Sequence, residues 1–330
     1  MDPRILDRLR CPVCGDPLAE VTAGTARALR CPRRHSFDIA RQGYVNLLAG
    51  RAPHAGDSAE MVAARADFLA AGHYDTVAAA LAATAAHVVD RIGAAHGAPT
   101  ARSAPTDAPA IGDERRVGGC SAKRADEELP ADLPGPDVGA YPLVVDAGAG
   151  TGRYLAAALA ALPNAAGLAL DVSKPALRRA ARAHPRAAAA LADTWQRLPL
   201  ADASTAVLLN VFAPRNGAEF HRVLDPAGAL LVVTPAEDHL VELVEALGLL
   251  RVDPAKADRV AGSLAGHFTE EPTELHRARL GLTRTEVATL VGMGPSAWHT
   301  DPTRLAERIA GLPEPVPVTL SVRLGVYRPR

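Results

Sequence analysis

VVDAGAGTGRY, residues 144–154, decides the reading of this chain. An apolar strand runs into Asp146, the backbone turns through Gly148, Gly150 and Gly152, and a helix pattern follows. Glycines at such a turn let the main chain approach a ligand closely, and the helix start presents free N–H groups to it. A dinucleotide loop has the spacing G-x-G-x-x-G, whereas this one is D-x-G-x-G-x-G, which points to S-adenosylmethionine held at its methionine end. GLALDVS closes a second strand at Asp171, 25 residues after Asp146, where a carboxylate can accept the ribose hydroxyls. A nicotinamide enzyme would place an acid similarly, so Asp171 alone does not choose between the two; the loop spacing does. The plain alternative is an ordinary tight strand-to-helix turn.

Outward from that loop, strand and helix patterns alternate: RYLAAALAAL, GLALDV, PALRRAARAH, STAVLLNVFA, GAEFHRVL, GALLVVTP and HLVELVEAL. Alternation of this kind predicts an α/β doubly wound, Rossmann-like sheet of the class I S-adenosylmethionine-dependent methyltransferases over residues 141–330. The final PVTLSVRLGVYRP alternates like a strand with one buried face and an edge of its own. LADTWQRLPLAD follows the third strand, where Asp193 or Thr194 could meet the adenine. NVFAPRN, 210–216, ends the fourth strand on the acceptor side. It is not the Asn-Pro-Pro-aromatic sequence of exocyclic amine methylation, and no cysteine follows it to support a covalent C5 route, so a ring nitrogen is the simplest acceptor.

The other informative stretch is CPVCGDPLAEVTAGTARALRCPRRH, 11–35. Cys11, Cys14, Cys31 and His35 have the C-x2-C and C-x3-H spacings of a closed tetrahedral zinc site. A redox CxxC pair is the alternative, but it needs neither Cys31 nor His35. No apolar segment precedes the knot, which suggests a reducing, cytoplasmic setting where disulfides are disfavoured. Residues 1–50 hold eight Arg against five acids, and Arg30, Arg33 and Arg34 flank the putting-together of the site: a small basic finger, or merely a solvated face. The 330 residues carry a net charge of only −1, so no global basic field is present. No uninterrupted apolar run reaches 18 residues, which argues against a membrane span.

Four segments are expected: a small zinc-binding domain over 1–50, to which the family resemblance described next assigns RNA recognition, a helical linker over 51–94, to which it assigns the cover of the cofactor, a disordered Pro/Gly/Ala-rich insert over 95–140, and the methyltransferase domain over 141–330. Oligomeric state is not legible, and a homodimer stays open.

CPVCGDPL, CPRRHSFDIARQGYVNLL, GDSAEM, FLAAGHY, GLALDVSK, the AP of NVFAPRN and GMGPSAWH occur in one order. Together they resemble the RlmA-type 23S rRNA guanine-N1 methyltransferases, which include macrolide- and tylosin-resistance members, over nearly the whole chain outside the insert. The resemblance implies zinc at Cys11, Cys14, Cys31 and His35, in a finger that reads a 23S rRNA hairpin, helix 35 of domain II. It implies methylation of a guanine near about position 745 to 748, leaning to the latter. It also implies S-adenosylmethionine contacts at Tyr74, Gly150, Thr151 and His239. Read without it, Tyr74 is equally a core aromatic and His239 a surface residue at a helix start. Arg215 departs from the small residue expected after Pro214. Guanine N1 must lose a proton as the methyl arrives, and Asp193, His221 and Asp238 are the candidate bases. A small-molecule methyltransferase with structural zinc, and a non-catalytic RNA-binding protein, are the competing readings.

Overall fold

The computed structural model describes residues 1–50, 56–95, 141–249, 262–294 and 301–330; the insert expected over 95–140 and Cys120 within it fall almost wholly outside these. Five parallel strands form the centre of the main sheet: β5 (Leu143–Ala147), β6 (Ala166–Asp171), β7 (Ala187–Leu191), β8 (Thr205–Val211) and β9 (Leu224–Pro235). Every residue of β5 and of β8 is buried. Continuous apolar runs of this kind suit a parallel strand covered on both faces. The spatial order is β7-β6-β5-β8-β9. Chain order reverses between β5 and β8, and such a switch point opens a crevice at the strands' carboxyl ends. The loop 148–152 lies there.

On one side β9 is followed by the antiparallel β12 (Val316–Pro329). The sequence suggests that this last strand owns an edge. Instead β12 is interior, with β9 on one flank and β10 (Phe268–Glu270) and β11 (Glu274–Leu282) on the other. Its side chains are buried on both faces, and the edge belongs to β11, which alternates exposed and half-buried residues.

On the opposite side stands β4 (Tyr44–Asn46), parallel to β7 with Tyr44 against Ala189. It is the return strand of an N-terminal ribbon built from β1 (Ala19–Ala23), β2 (Ala26–Arg30) and β3 (Ser36–Asp38). The ribbon therefore continues into the main sheet. Leu9 also bridges to Leu200, and Ile5, Leu9, Leu29 and Val45 share one buried cluster with Leu168 and Ala190 of the sheet.

Two helices lie between the ribbon and β5: α2 (Ala59–Ala70), capped by Ser58 on the Met61 amide, and α3 (Asp75–Ala95). The break between them falls at Gly72, as the periodicity predicts, with φ of 85°. By length and composition α3 could cross a membrane. Its Val77, Leu81, Ala85, Val88 and Ile92 are instead packed in the core with Leu155 and Leu159 of α4 (Arg153–Ala161), which identifies a core helix.

Because ribbon and sheet share apolar packing, they should unfold together. Leu9→Ala should cost about 2–5 kcal/mol, and in denaturant titrations zinc release and loss of sheet signal should coincide. Two separated transitions would contradict the shared core.

Candidate functional site

The crevice is assembled from close approaches. Gly148, at φ of 86°, faces Ala213 so tightly that a Cβ at 148 would collide with the Ala213 side chain. Gly152, at φ of 80°, caps α4, and a Cβ there would sit 2.9 Å from the Ala180 backbone. The loop thus touches both the strand-β8 exit and helix α5 (Lys174–Ala180). Thr151 is half-buried at its tip.

Two carboxylates line the crevice. Asp171 accepts the Gly150 N–H at 2.8 Å and the Ser173 N–H at 2.7 Å, which fixes its plane beside the loop. Burial raises its pKa above the ordinary carboxylate value, against the pull of those two amides. Asp146 is 1 % exposed, and its Oδ2 has no hydrogen-bond partner. Burial first, then the neighbouring Asp171 charge, push Asp146 up to about 7. A buried carboxylate oxygen left orphaned is costly unless something supplies a donor.

A cluster of rings closes the outer side. Tyr74 and His239 are both buried, with Oη and Nε2 3.3 Å apart. The Ser321 N–H donates to His239 Nδ1 at 3.2 Å, so in the neutral ring Nε2 carries the proton and points it at Tyr74. Phe212 joins them, its centroid 6.3 Å from Tyr74 and 6.1 Å from His239. Phe212 adopts φ of 53°, a left-handed conformation unusual for a bulky residue, and leaves its ring 43 % exposed. Asn210 secures this loop: its Nδ2 donates to the carbonyls of Ala147 at 3.1 Å and Pro214 at 2.8 Å.

Asp193 lies buried at the end of β7, accepting from the Trp195 N–H at 2.9 Å and from Gln196 Nε2 at 3.2 Å. Thr194 is buried beside it. Asp238 is held below the usual carboxylate range, chiefly by Ser321 and also by Arg277, which it pairs at 2.8 Å. His221 is elsewhere. Its Nε2 lies 3.3 Å from the Arg330 carbonyl and its ring packs on His267 and Phe268, at the end of the sheet where β9 begins, which removes it from the candidate bases. Arg215 is largely desolvated, and its Nε has no partner.

Sequence reading missed Arg65. From α2 its guanidinium reaches the loop, Nη1 lying 3.4 Å from where a Gly150 Cβ would be. It pairs with Asp57 and donates to the Met293 carbonyl at 3.0 Å. Ser173 Oγ in turn donates to the Asp57 carbonyl at 2.8 Å. The signal was GDSAEM itself, whose helix start delivers Arg65 two turns later, but only the fold reveals where it points.

Cys11, Cys14, Cys31 and His35 converge, with their ligand atoms all within 4.8 Å of one another. Cys14 and Cys31 sulfurs are 3.7 Å apart, and His35 Nδ1 is 3.5 Å from Cys11 and 3.3 Å from Cys31. A zinc at about 2.3 Å from sulfur and 2.0–2.1 Å from nitrogen gives tetrahedral edges of about 3.8 and 3.5 Å. The donor set and its spacing fit that ion. Burial opposes ionisation at Cys31, yet the His35 amide and the adjoining thiols draw it down to about 7.

A glycine-looped class I sheet with a Cys3His ribbon defines a zinc-containing, S-adenosylmethionine-dependent methyltransferase. Residues 9–52 match the RlmA N-terminal zinc-ribbon family and 144–228 a methyltransferase domain family. A Micromonospora griseorubida protein, provisionally named a 23S rRNA (guanine-N(1)-)-methyltransferase, is 63 % identical over 330 residues, 100 % of both chains. The 23S rRNA (guanine(748)-N(1))-methyltransferase of Streptomyces fradiae is 46 % identical over 100 % of this chain and 99 % of its own. YxjB of Bacillus subtilis (strain 168), provisionally named for the guanine-N1 reaction, is 26 % identical over 90 % of this chain and 89 % of its own. The chain belongs to the RlmA-type 23S rRNA guanine-N1 methyltransferase family.

His35→Ala should lower zinc content from about one per chain, measured by elemental analysis. Asp146 gives a signed pH test. A folded-state value near 7 against 3.8 unfolded means the protonated form is favoured, so Asp146 is increasingly destabilising as pH rises through that interval. Asp146→Asn should raise the melting temperature of cofactor-free protein at about pH 8, with the gain fading toward about pH 5.

Proposed function

We propose that this enzyme transfers the methyl group of S-adenosylmethionine to N1 of a guanine in 23S rRNA, the guanine at position 748 in the helix 35 hairpin, and that macrolide resistance is the consequence. The 46 % identity, over the full length, to a relative named for guanine 748 is the observation that carries this reading. An rRNA substrate places the work in the cytoplasm. In this reading residues 1–50 recognise RNA around zinc held by Cys11, Cys14, Cys31 and His35, 51–94 cover the cofactor, 95–140 are an insert, and 141–330 carry the chemistry.

When bound, S-adenosylmethionine supplies a methyl already activated on a sulfonium sulfur, so alignment is the main task of the protein. Asp171, held flat by two amides, keeps lone pairs for the ribose hydroxyls. Gly148, Gly150, Thr151 and Gly152 admit the methionine end, and the orphaned Oδ2 of Asp146 accepts from its ammonium. Arg65 faces the carboxylate, for which a guanidinium fork is well matched. Asp193 and Thr194 border the adenine. The Tyr74–His239 pair walls off the reacting end, and Phe212 offers the exposed ring on which an extruded guanine stacks. Asp193 and Asp238 remain the carboxylates at this rim able to take the N1 proton.

Purified protein should transfer tritiated methyl from S-adenosylmethionine to unmethylated 23S rRNA, and transfer only to small metabolites would refute the assignment. Asp171→Ala should weaken cofactor binding by about 1.5–3 kcal/mol in calorimetry. Arg65→Met should weaken S-adenosylhomocysteine about tenfold or more while leaving methylthioadenosine, which lacks the carboxylate, unchanged; equal losses for both ligands would make Arg65 a structural residue only.

A further inference from the structure

Several exposed arginines of this protein are matched by acids. Arg27 pairs with Glu20, Arg91 with Glu271, Arg153 with Asp75, Arg277 with Asp238 and Arg279 with Glu242. At the zinc knot Arg33 lies 3.2 Å from Asp16, while Arg30 and Arg34 have no acidic partner among the described residues. Helix α5 and the turn after it differ in gathering four unmatched cations within one short stretch. Lys174, Arg178, Arg179 and Arg182 are all exposed. Among the described residues none of their side chains has a hydrogen bond or ion pair.

Lys174, Arg178 and Arg182 are spaced by four, which sets them along one ridge on the order of 12 Å long. One end of the ridge is the cofactor crevice, since Ser173 and Asp171 immediately precede Lys174 and bond to each other at 2.7 Å. The nearest acids there are already engaged: Asp171 by the Gly150 and Ser173 amides, Asp57 by Arg65. The other end reaches the ribbon. Gly43, in the turn leading into β4, lies 3.5 Å from the Ala181 side chain, measured from the Cβ it lacks. Exposed Arg41 precedes it in the same turn and also has no acidic partner among the described residues.

We propose that Lys174, Arg178, Arg179 and Arg182 of α5, continued by Arg41 of the ribbon, form the surface on which the rRNA phosphate backbone lies between the zinc knot and the methyl donor. The inference rests on the rRNA reading above and adds to it: the ribbon does not read RNA alone. Holding like charges side by side without acids is unfavourable in the free protein, and a polyanion relieves it while releasing counterions. A strand laid on this ridge delivers the target base to the crevice, with the rest of the hairpin directed toward the ribbon.

The test compares full-length wild-type protein with Arg178→Glu/Arg182→Glu and with a control, Arg330→Glu, an arginine that is also exposed and without an acidic partner among the described residues but lies beside His221 and Thr269, at the end of the sheet away from the crevice. The probe is an unmodified 23S rRNA transcript in filter binding across a salt series. The α5 variant should lose tenfold or more in affinity, and its slope of log affinity against log salt should flatten by about two units, roughly one per lost phosphate contact. S-adenosylhomocysteine affinity should stay at the wild-type value, which also shows that the variant is folded. Should the charge reversal unfold the chain, Arg178→Gln/Arg182→Gln should show the same flattening. Unchanged RNA affinity, or an equal loss in the control, would overturn the proposal while wild-type methylation still upheld the rRNA reading. A wild-type protein without 23S rRNA affinity would overturn both.

Discussion

The site depends on one contact that leaves no room for a side chain, the approach of Gly148 to Ala213. It draws the exit of β8 onto the loop after β5, across the switch point of the sheet. Everything that faces the crevice inherits its place from that closeness. Phe212 is thrown outward in a left-handed conformation, Asn210 turns inward to tie the two strands, and the Tyr74–His239 pair packs on the ring so exposed. Gly152 performs the same service for α5, and through it for the basic ridge.

What could be read in the sequence was what is local. The glycine loop and the zinc ligands are short spacings whose chemistry is set by residue type, and the strands that follow the loop are continuous apolar runs. What escaped was set by partners distant in the chain. PVTLSVRLGVYRP alternates as an edge strand would, yet β12 is enclosed because β11, whose ELHRARLGL is polar enough to read as a loop, supplies the edge. Three residues, Tyr44–Asn46, carry no strand signal of their own and become one only beside β7. Arg65 and His221 show the same limit for the site: one is delivered to the crevice by helix direction, the other carried to the opposite end of the sheet.

The electrostatics of the crevice separate two similar acids. Asp171 keeps two amide donors and stands ready as an acceptor, whereas Asp146 sits without a donor for one oxygen and is pushed toward the neutral form. A cationic ligand group satisfies the second and favours its charge. In the function proposed above, stability and ligand affinity would thus be linked through a single carboxylate.

The seam between ribbon and sheet has a further consequence for the fate of the protein in a cell. β7 is AAAAL, nearly featureless in side-chain shape, and β4 covers its outer backbone groups. Were the ribbon to lose its metal, the core it shares with the sheet would loosen with it, and that strand would present unpaired N–H and C=O groups with little to define register or repel a neighbour. A metal bound at Cys11, Cys14, Cys31 and His35 would then do more than shape the ribbon: it would keep an adhesive edge closed, so metal starvation would be expected to appear as insoluble protein.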